Sequence, residues 1–561
     1  MELEQKSTPK TTKTRKSRAF KWAFVSLCAC NFISTLDTVI IAAALPAIAK
    51  ALHSTSSQAY WCGTGFLFPA TILQPIYGAF SEIFGRKICL VVALALFTLG
   101  SILCAVAQNI SWLIAARVVQ GLGAAGNDSV VSIIIADMVP LRERSKYIGL
   151  LGLVSAVALT AGYIMGAAIS ERSSWRIIFW INLPVCVPAL LGVLRFLHLE
   201  RPKQSKMAKL KEFDWVGIIL LLGSLTSILF GITSGGVLHP WSSANVLVPL
   251  VVGAVALAIF VLNEAFLASV PMLPLRLFGN RTSNSAYLTS FVVGVALWAM
   301  EYFLILYFLV TQRESLIRAA VSILPGTATV PLSAAGAGFL IATTKRFRTI
   351  NSIALVLLSV GLGLMALLRP DSNKGMQYGF QVLYGIGGGT LFPGRQIAIQ
   401  ASQPDADVPL ATALSSTTIS LGQAFGVAIG GVIFQNAWNQ RISSDRIARL
   451  WPSQYVIDGS QAEQSASLIT GVPQALQAIY RSIMSDSINT VFIALAAFAA
   501  AATLVSLASE NISLDRDSSS PQAFVDNSNS TTADDSIMPI VQVGQGNESV
   551  KHRSAHTTEC D

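Results

Sequence analysis

The chain has 561 residues, 53% of them hydrophobic and only 12% charged, with a mean hydropathy of +0.58. A soluble domain carries about twice that share of charge, so a soluble enzyme, a secreted disulfide scaffold and a disordered chain are excluded. The net charge of +9 invites nucleic acid as a partner, but its placement along the chain argues against one.

Residues 1–21 form a polar tail with Lys6, Lys10, Lys13, Arg15, Lys16, Arg18 and Lys21. No short apolar core with a small-residue cleavage site opens it, so it reads as a cytosolic basic tail. Apolar blocks of about 20 residues follow, each long enough for a hydrocarbon core of about 30 Å. Fourteen spans are predicted, at 22–45, 58–80, 88–107, 111–135, 148–169, 177–197, 214–234, 245–267, 286–310, 319–342, 350–369, 379–400, 410–435 and 488–508. Backbone groups in lipid must be satisfied internally, so these are helices. Alternating segments of about ten residues, which a barrel needs, are absent. The expected fold is therefore all-α and polytopic.

The basic residues orient the spans. With the N-terminus inside, the inner connections hold Arg86 and Lys87, then Arg142, Arg144 and Lys146, then a run from Arg195 to Lys211. Further on they hold Arg276, Arg281, Lys345, Arg346 and Arg348. Most of the 39 Lys+Arg then lie inside, and both termini are cytosolic. The excess charge belongs to a lipid bilayer.

Residues 436–487 form a long, polar external connection. Within it Leu476, Ile479, Tyr480 and Ile483 have helical spacing, which predicts a short interfacial helix before the last span. Residues 509–561, rich in Ser, Thr, Asn and Asp, read as a disordered cytosolic tail. Asn109 is the one external Asn-x-Ser/Thr site, in a loop too short for modification. Six of the seven cysteines fall in or beside spans and read as small apolar residues; Cys560 is in the tail. No metal spacing and no Gly-x-x-x-x-Gly-Lys-Ser/Thr phosphate loop occurs, so neither a metal nor ATP-driven work is expected, and no cofactor.

Several motifs carry more than hydropathy. At the junction of spans 2 and 3 stands Gly78-Ala-Phe-Ser-Glu82-Ile-Phe-Gly85-Arg86-Lys87. Gly78 permits close helix approach, Gly85 suits a tight turn, and Glu82 with the two cations forms a cytosolic latch. A degenerate second copy lies at Gly338-Phe-Leu340 with Lys345-Arg346-Phe-Arg348. Span 1 carries Leu36-Asp37-Thr38 through Leu45-Pro46. Span 4 carries Arg117-Val-Val-Gln120-Gly121-Leu-Gly123, then Asp137 to Arg144. Ser174-Trp175-Arg176, Asn182-Leu-Pro184, Gly385 to Pro393 with Gln400, and Gly422-Gln423-Ala-Phe-Gly426 follow.

As a set, over residues 22–508, these resemble the major facilitator superfamily, in its fourteen-span drug:proton antiporter branch, and fungal toxin and multidrug efflux members in particular. The latch departs from the family's Gly-x-Leu-Ala-Asp-x-x-Gly-Arg-Lys in Phe80 and Glu82. The antiporter motif Gly-Pro-x-x-Gly-Gly of span 5 is here Gly162-Tyr163-Ile-Met-Gly166-Ala167, leaving Gly162 and Gly166 as its hinge. The resemblance implies a six-plus-two-plus-six helix arrangement with two pseudo-symmetric halves, 22–197 and 286–508, separated by residues 198–285 with two extra helices. It also implies a plasma-membrane monomer that exports an amphipathic organic compound against protons by alternating access. Uptake by symport or facilitated diffusion, and a non-transporting receptor or membrane enzyme, are the alternatives.

A charge at mid-membrane costs at least about 2.5–3.5 kcal/mol, so each one inside a span is a functional candidate. Asp37 is the first. Arg117 and Asp128 share a face of span 4, about 20° apart around the axis and about 16 Å along it. They cannot pair, but can line one path. In the family the Arg of this motif takes part in proton transfer. Glu301 lies mid-span in span 9. Arg395, near the inner end of span 12, reads first as snorkelling to the interface and second as a cavity residue. Gln423 is a hydrogen-bonding candidate for substrate. Glu264, at the inner end of span 8, reads as interfacial.

Overall fold

In the computed structural model, residues 17–52, 54, 56–200, 214–235, 239–268, 271, 273–444, 455–457, 462 and 469–514 are described. The basic tail before Ser17, the basic run 201–213, His53 and the tail beyond Leu514, with His552, His556 and Cys560, lie outside them. The described residues belong to one unit, Met1–Val525.

Seventeen α-helices are present among the described residues. They are α1 Arg18–Ala51, α2 Ser56–Ile72, α3 Gln74–Phe84, α4 Arg86–Ala105, α5 Ile110–Met138, α6 Leu141–Arg172, α7 Ile177–Trp180, α8 Leu183–Phe196 and α9 Trp215–Ser234. Then come α10 Ala244–Phe266, α11 Arg281–Leu306, α12 Leu316–Ser322, α13 Leu324–Thr344, α14 Phe347–Met365, α15 Lys374–Ser402, α16 Val408–Ser444 and α17 Gln474–Ser506. Among the described residues, twelve helical stretches are long and apolar enough to cross a membrane, by length and composition.

The other two predicted spans are helical as well. The segment at 58–80 is divided at Leu73, because Pro75 opens α3 without an N–H to continue the ladder from α2. The segment at 379–400 is the middle of α15, whose Gln381, Arg395, Gln396 and Gln400 lower its hydropathy.

Helix starts follow capping chemistry. Ser17, Asn109, Asp214, Asn280 and Asn373 each accept from a backbone N–H in the first turn of the helix that follows. Asn109 thus has a structural task as the cap of α5, accepting from Trp112 N at 2.8 Å.

One group of helices packs α1 on α6 and α8, and α5 on α2 and α4. A second packs α11 on α16, α15 on α13 and α14, and α17 on α14. The groups meet where α6 lies on α13 and where α16 lies on α3 and α5. Helices α9 and α10 pack mainly on each other, with α9 also touching α2 and α16. The outer face of α10, with Val251, Val255, Leu262 and Phe266, is exposed, as a lipid-facing helix would be.

The predicted interfacial helix is corrected. Leu476, Ile479, Tyr480 and Ile483 belong to the first turns of α17, continuous with the last span. The reason is packing: the ring of Tyr480 stacks on Trp438 of α16 at 5.8 Å, and its hydroxyl donates to Tyr455 O at 2.7 Å. The connection predicted at 436–487 is also shorter, because α16 runs on to Ser444 and α17 starts at Gln474.

Candidate functional site

Helix α1 presents two faces. Asn31, Thr35 and Thr38, spaced i, i+4, i+7, line a central cavity. Ser34 and Asp37 turn the other way, toward α5.

Asp37 and Arg117 are buried and form an ion pair. Arg117 Nη1 also donates to Gln120 Oε1 at 2.7 Å. The amides of Gln120 and Asn182 each donate to Asp37 Oδ1 at 2.9 Å, and Ser101 Oγ accepts from Gln120 Nε2 at 2.9 Å. The guanidinium lies 4.1 Å from the centre of the Phe66 ring. Side chains of α1, α2, α4 and α5, with Asn182 at the start of α8, thus enclose one carboxylate. Gln120 and Asn182 stood in the sequence motifs, but nothing in their spacing marked them as partners of Asp37, because the contacts span 83 and 145 residues.

Asp128 and Arg117 do share a face of α5: both reach α1, Arg117 at Asp37 and Asp128 at Ser34, whose Oγ donates to Asp128 Oδ1 at 2.7 Å. Of the two, only Asp128 is among the residues that line the cavity, whereas Asp37 and Arg117 lie behind its wall. The antiparallel run of α5 along α1 sets the two acids at different depths, with only the Asp128 level open to the cavity.

The cavity holds about 180 Å³ and lies between the two helix groups. Beside the α1 residues it is lined by Asp128 and Ser132 of α5, Ser155 of α6, Trp298 of α11, Phe392 and Arg395 of α15, and Gln423 of α16. Arg395 does not snorkel. It is 5% exposed, and its Nη1 donates to Ser290 Oγ at 3.2 Å and Ser415 Oγ at 3.1 Å. Helix α15 continues to Ser402 beyond it, and serines of α11 and α16 hold the guanidinium inside. Gln423 is among the cavity-lining residues. Glu301 is buried in α11 outside the cavity lining, within electrostatic reach of Tyr384. Glu264 is buried, and its carboxylate accepts from Leu273 N at 3.2 Å where the chain folds back after α10.

At one end of the bundle the predicted latch assembles. Arg86, buried at the start of α4, forks from Glu82 Oε1 at 2.9 Å to Asp137 Oδ2 at 3.1 Å, with Ser81 Oγ at 3.2 Å. Lys87 Nζ donates to Leu194 O at 2.9 Å. Gly85 has φ 94°, a conformation costly for any residue with a Cβ. Gly78 faces α16, where an added Cβ would stand 2.6 Å from Ala413 Cβ. The longer Glu82 therefore keeps the pairing with Arg86.

The two acids differ in burial, with side chains 32% exposed at Glu82 and 4% at Asp137. Asp137→Asn should cost about 2 kcal/mol in thermal unfolding, and Glu82→Gln less than about 1 kcal/mol. Equal costs would contradict this ranking.

The same end is shut between the groups. Ser145 Oγ donates to Gly338 O at 3.0 Å, and Arg144 Nη1 donates to Gln400 Oε1 at 3.3 Å. Arg144 also satisfies the last carbonyls of α5, Ala136 O and Val139 O. Gly338 of the degenerate second motif is thus a contact residue. The hinge glycines Gly162 and Gly166 lie within one uninterrupted α6. Gly162 packs on α1, where a Cβ would stand 2.6 Å from Val39 Cγ2.

Comparison with known proteins adds to this geometry. A model of the Major Facilitator Superfamily matches residues 27–373. The chain is 34% identical over 522 residues to MFS transporter L2 of Phoma sp., covering 93% of this chain and 87% of that protein. It is 37% identical over 461 residues to Efflux pump FUS6 of Gibberella moniliformis, covering 82% and 81%. The crystal structure of the human organic anion transporter MFSD10 matches with TM-score 0.56, covering 88% of this chain and all of that one. At 13% identity this establishes the fold alone.

Proposed function

The chain belongs to the major facilitator superfamily and is a multi-pass membrane protein, and from that premise we propose that it exports small amphipathic organic molecules in exchange for protons. Relatives similar over most of the chain are named efflux pumps, and others are named as transporters of biosynthesis clusters. A toxin, a secondary metabolite or a drug is the class of cargo this favours. Fourteen membrane helices in a six-plus-two-plus-six order, both termini cytosolic, a monomer and the plasma membrane complete the reading.

The observation that carries it is the cavity between the two helix groups, with Asp128 and Arg395 in a lining that mixes polar, aromatic and aliphatic side chains. Two groups around a central site can rock to open it to one side at a time. The proton site we favour is Asp128 rather than Asp37. Asp37 is enclosed by three donors behind the cavity wall. Asp128 faces the cavity with one serine hydroxyl as its hydrogen-bond donor. An acid so placed takes either a proton or a donor group of the cargo. That exclusion is the coupling antiport needs, since each ligand then favours a different state.

The test uses proteoliposomes with an imposed pH gradient and a panel of amphipathic compounds. Wild type should move a compound against its gradient while protons flow the other way. Asp128→Asn should lose uphill movement at least about tenfold and keep downhill exchange. Equal downhill flux without pH dependence in wild type would mark a uniporter and overturn the reading.

A further inference from the structure

Four guanidiniums are buried in the bundle; Arg144 spends its donors on Ala136 O, Val139 O and Gln400 Oε1, and the other three invite comparison. Arg117 has Asp37, and Arg86 has Asp137 and Glu82. Arg395, equally withdrawn from solvent, has no carboxylate within ion-pairing distance among the described residues. Its Nη1 meets two serine hydroxyls, its Nε is buried without any hydrogen-bond partner, and the ring of Phe392 lies 5.4 Å from its Cζ. Neutral hydroxyls orient a guanidinium without cancelling its charge. A cation left so inside a membrane protein is expensive unless something supplies the opposite charge. Asp128 shares the cavity but forms no ion pair with Arg395, and already accepts from Ser34.

We propose that the central cavity is an organic-acid site, in which Arg395 receives the carboxylate of an amphipathic cargo. This rests on the export reading above and names its cargo class. The planar guanidinium matches a carboxylate in shape and charge. Ser290 and Ser415 hold it from the far side, so that it is pre-set for a ligand. The apolar part of the cargo lies against Trp298, Phe392 and Ile419, which line the same space. Asp128, on the facing helix group, repels a second acid and suits a donor such as a hydroxyl or amine. An organic acid with a donor at its other end therefore fits both walls, and a bare cation is disfavoured by Arg395.

The experiment is equilibrium binding to the full-length protein in lipid nanodiscs. Radiolabelled 1-naphthylacetate and a series of longer aryl- and alkyl-carboxylates are compared with their methyl esters and the corresponding amines. Wild type should bind the acids at least about tenfold more tightly than the esters, and the amines least. Arg395→Gln should bring acid and ester within about twofold of each other, and Arg395→Lys should restore part of the preference.

Equal binding of acid and ester by wild type overturns the proposal, as does a preference that survives in Arg395→Gln. Failure of every carboxylate to bind overturns it as well. Should Arg395→Gln fail to fold, the acid-to-ester ratio of wild type still decides. Uphill export of esters as fast as acids would sink the acid site and leave the export reading standing. Acid-selective binding without uphill movement would do the reverse.

Discussion

Asp37→Asn should destabilise the folded protein by about 3–5 kcal/mol, because it leaves the Arg117 guanidinium buried with no anion. The geometry makes the loss worse than that of a charge alone. Asp37 accepts at both oxygens, from Arg117 on one side and from the amides of Gln120 and Asn182 on the other. An asparagine has one accepting oxygen, so its NH2 must face at least one of these donors. Arg117→Met should cost a similar amount, since it strands the carboxylate behind the cavity wall. The double variant Asp37→Asn with Arg117→Met should cost clearly less than the sum of the single changes, because no unpaired charge remains. Thermal unfolding in detergent across this cycle is the measurement. Additive costs would mean that the pair is not the keystone of this helix group. With the expected non-additive costs, loss of transport in Asp37→Asn reflects a disturbed scaffold as much as a lost proton site, and for that reason Asp128 is the cleaner probe of coupling.

The second large effect is expected at the closed end. Gly338→Val should force α13 off α6 and shift the protein toward a state open at the end that carries the latch. An added Cβ there would strike the carbonyl of Ser145 and approach Gly149 Cα to 3.2 Å. Backbone does not yield as a flexible side-chain tip does, and overpacking of this kind costs about 1–3 kcal/mol. That corresponds to a population shift of about fivefold to 150-fold. The readout is modification of Ser416→Cys, in the cavity lining, by an impermeant maleimide applied at the latch end, in a background without other cysteines. Labelling should rise at least about fivefold. Gly336→Val is the control, since a Cβ at Gly336 meets nothing within 4 Å. Equal labelling in both variants would show that this contact does not hold the end shut.

The helices were legible in the sequence because hydropathy and capping act over short stretches. Twenty apolar residues have few options in lipid, and Asn or Ser before such a block caps it. The latch was legible for the same reason: Glu82 and Arg86 are one helical turn apart, and Gly85 marks the bend between them. Even the family was readable, from motifs each confined to a dozen residues.

The roles of the buried charges were not. Arg395 at a helix end reads as an interfacial cation until Ser290 and Ser415 are seen to hold it inward. Asp37 and Asp128 look alike along the chain, each an acid in an apolar helix. Sequence by itself determined that both are buried in a membrane bundle. Only the tertiary structure decided that one is locked in an ion pair across 80 residues while the other faces the cavity. The physical reason is that the fate of a buried charge depends on the side chains that surround it. Those come from helices whose order of contact no local pattern encodes.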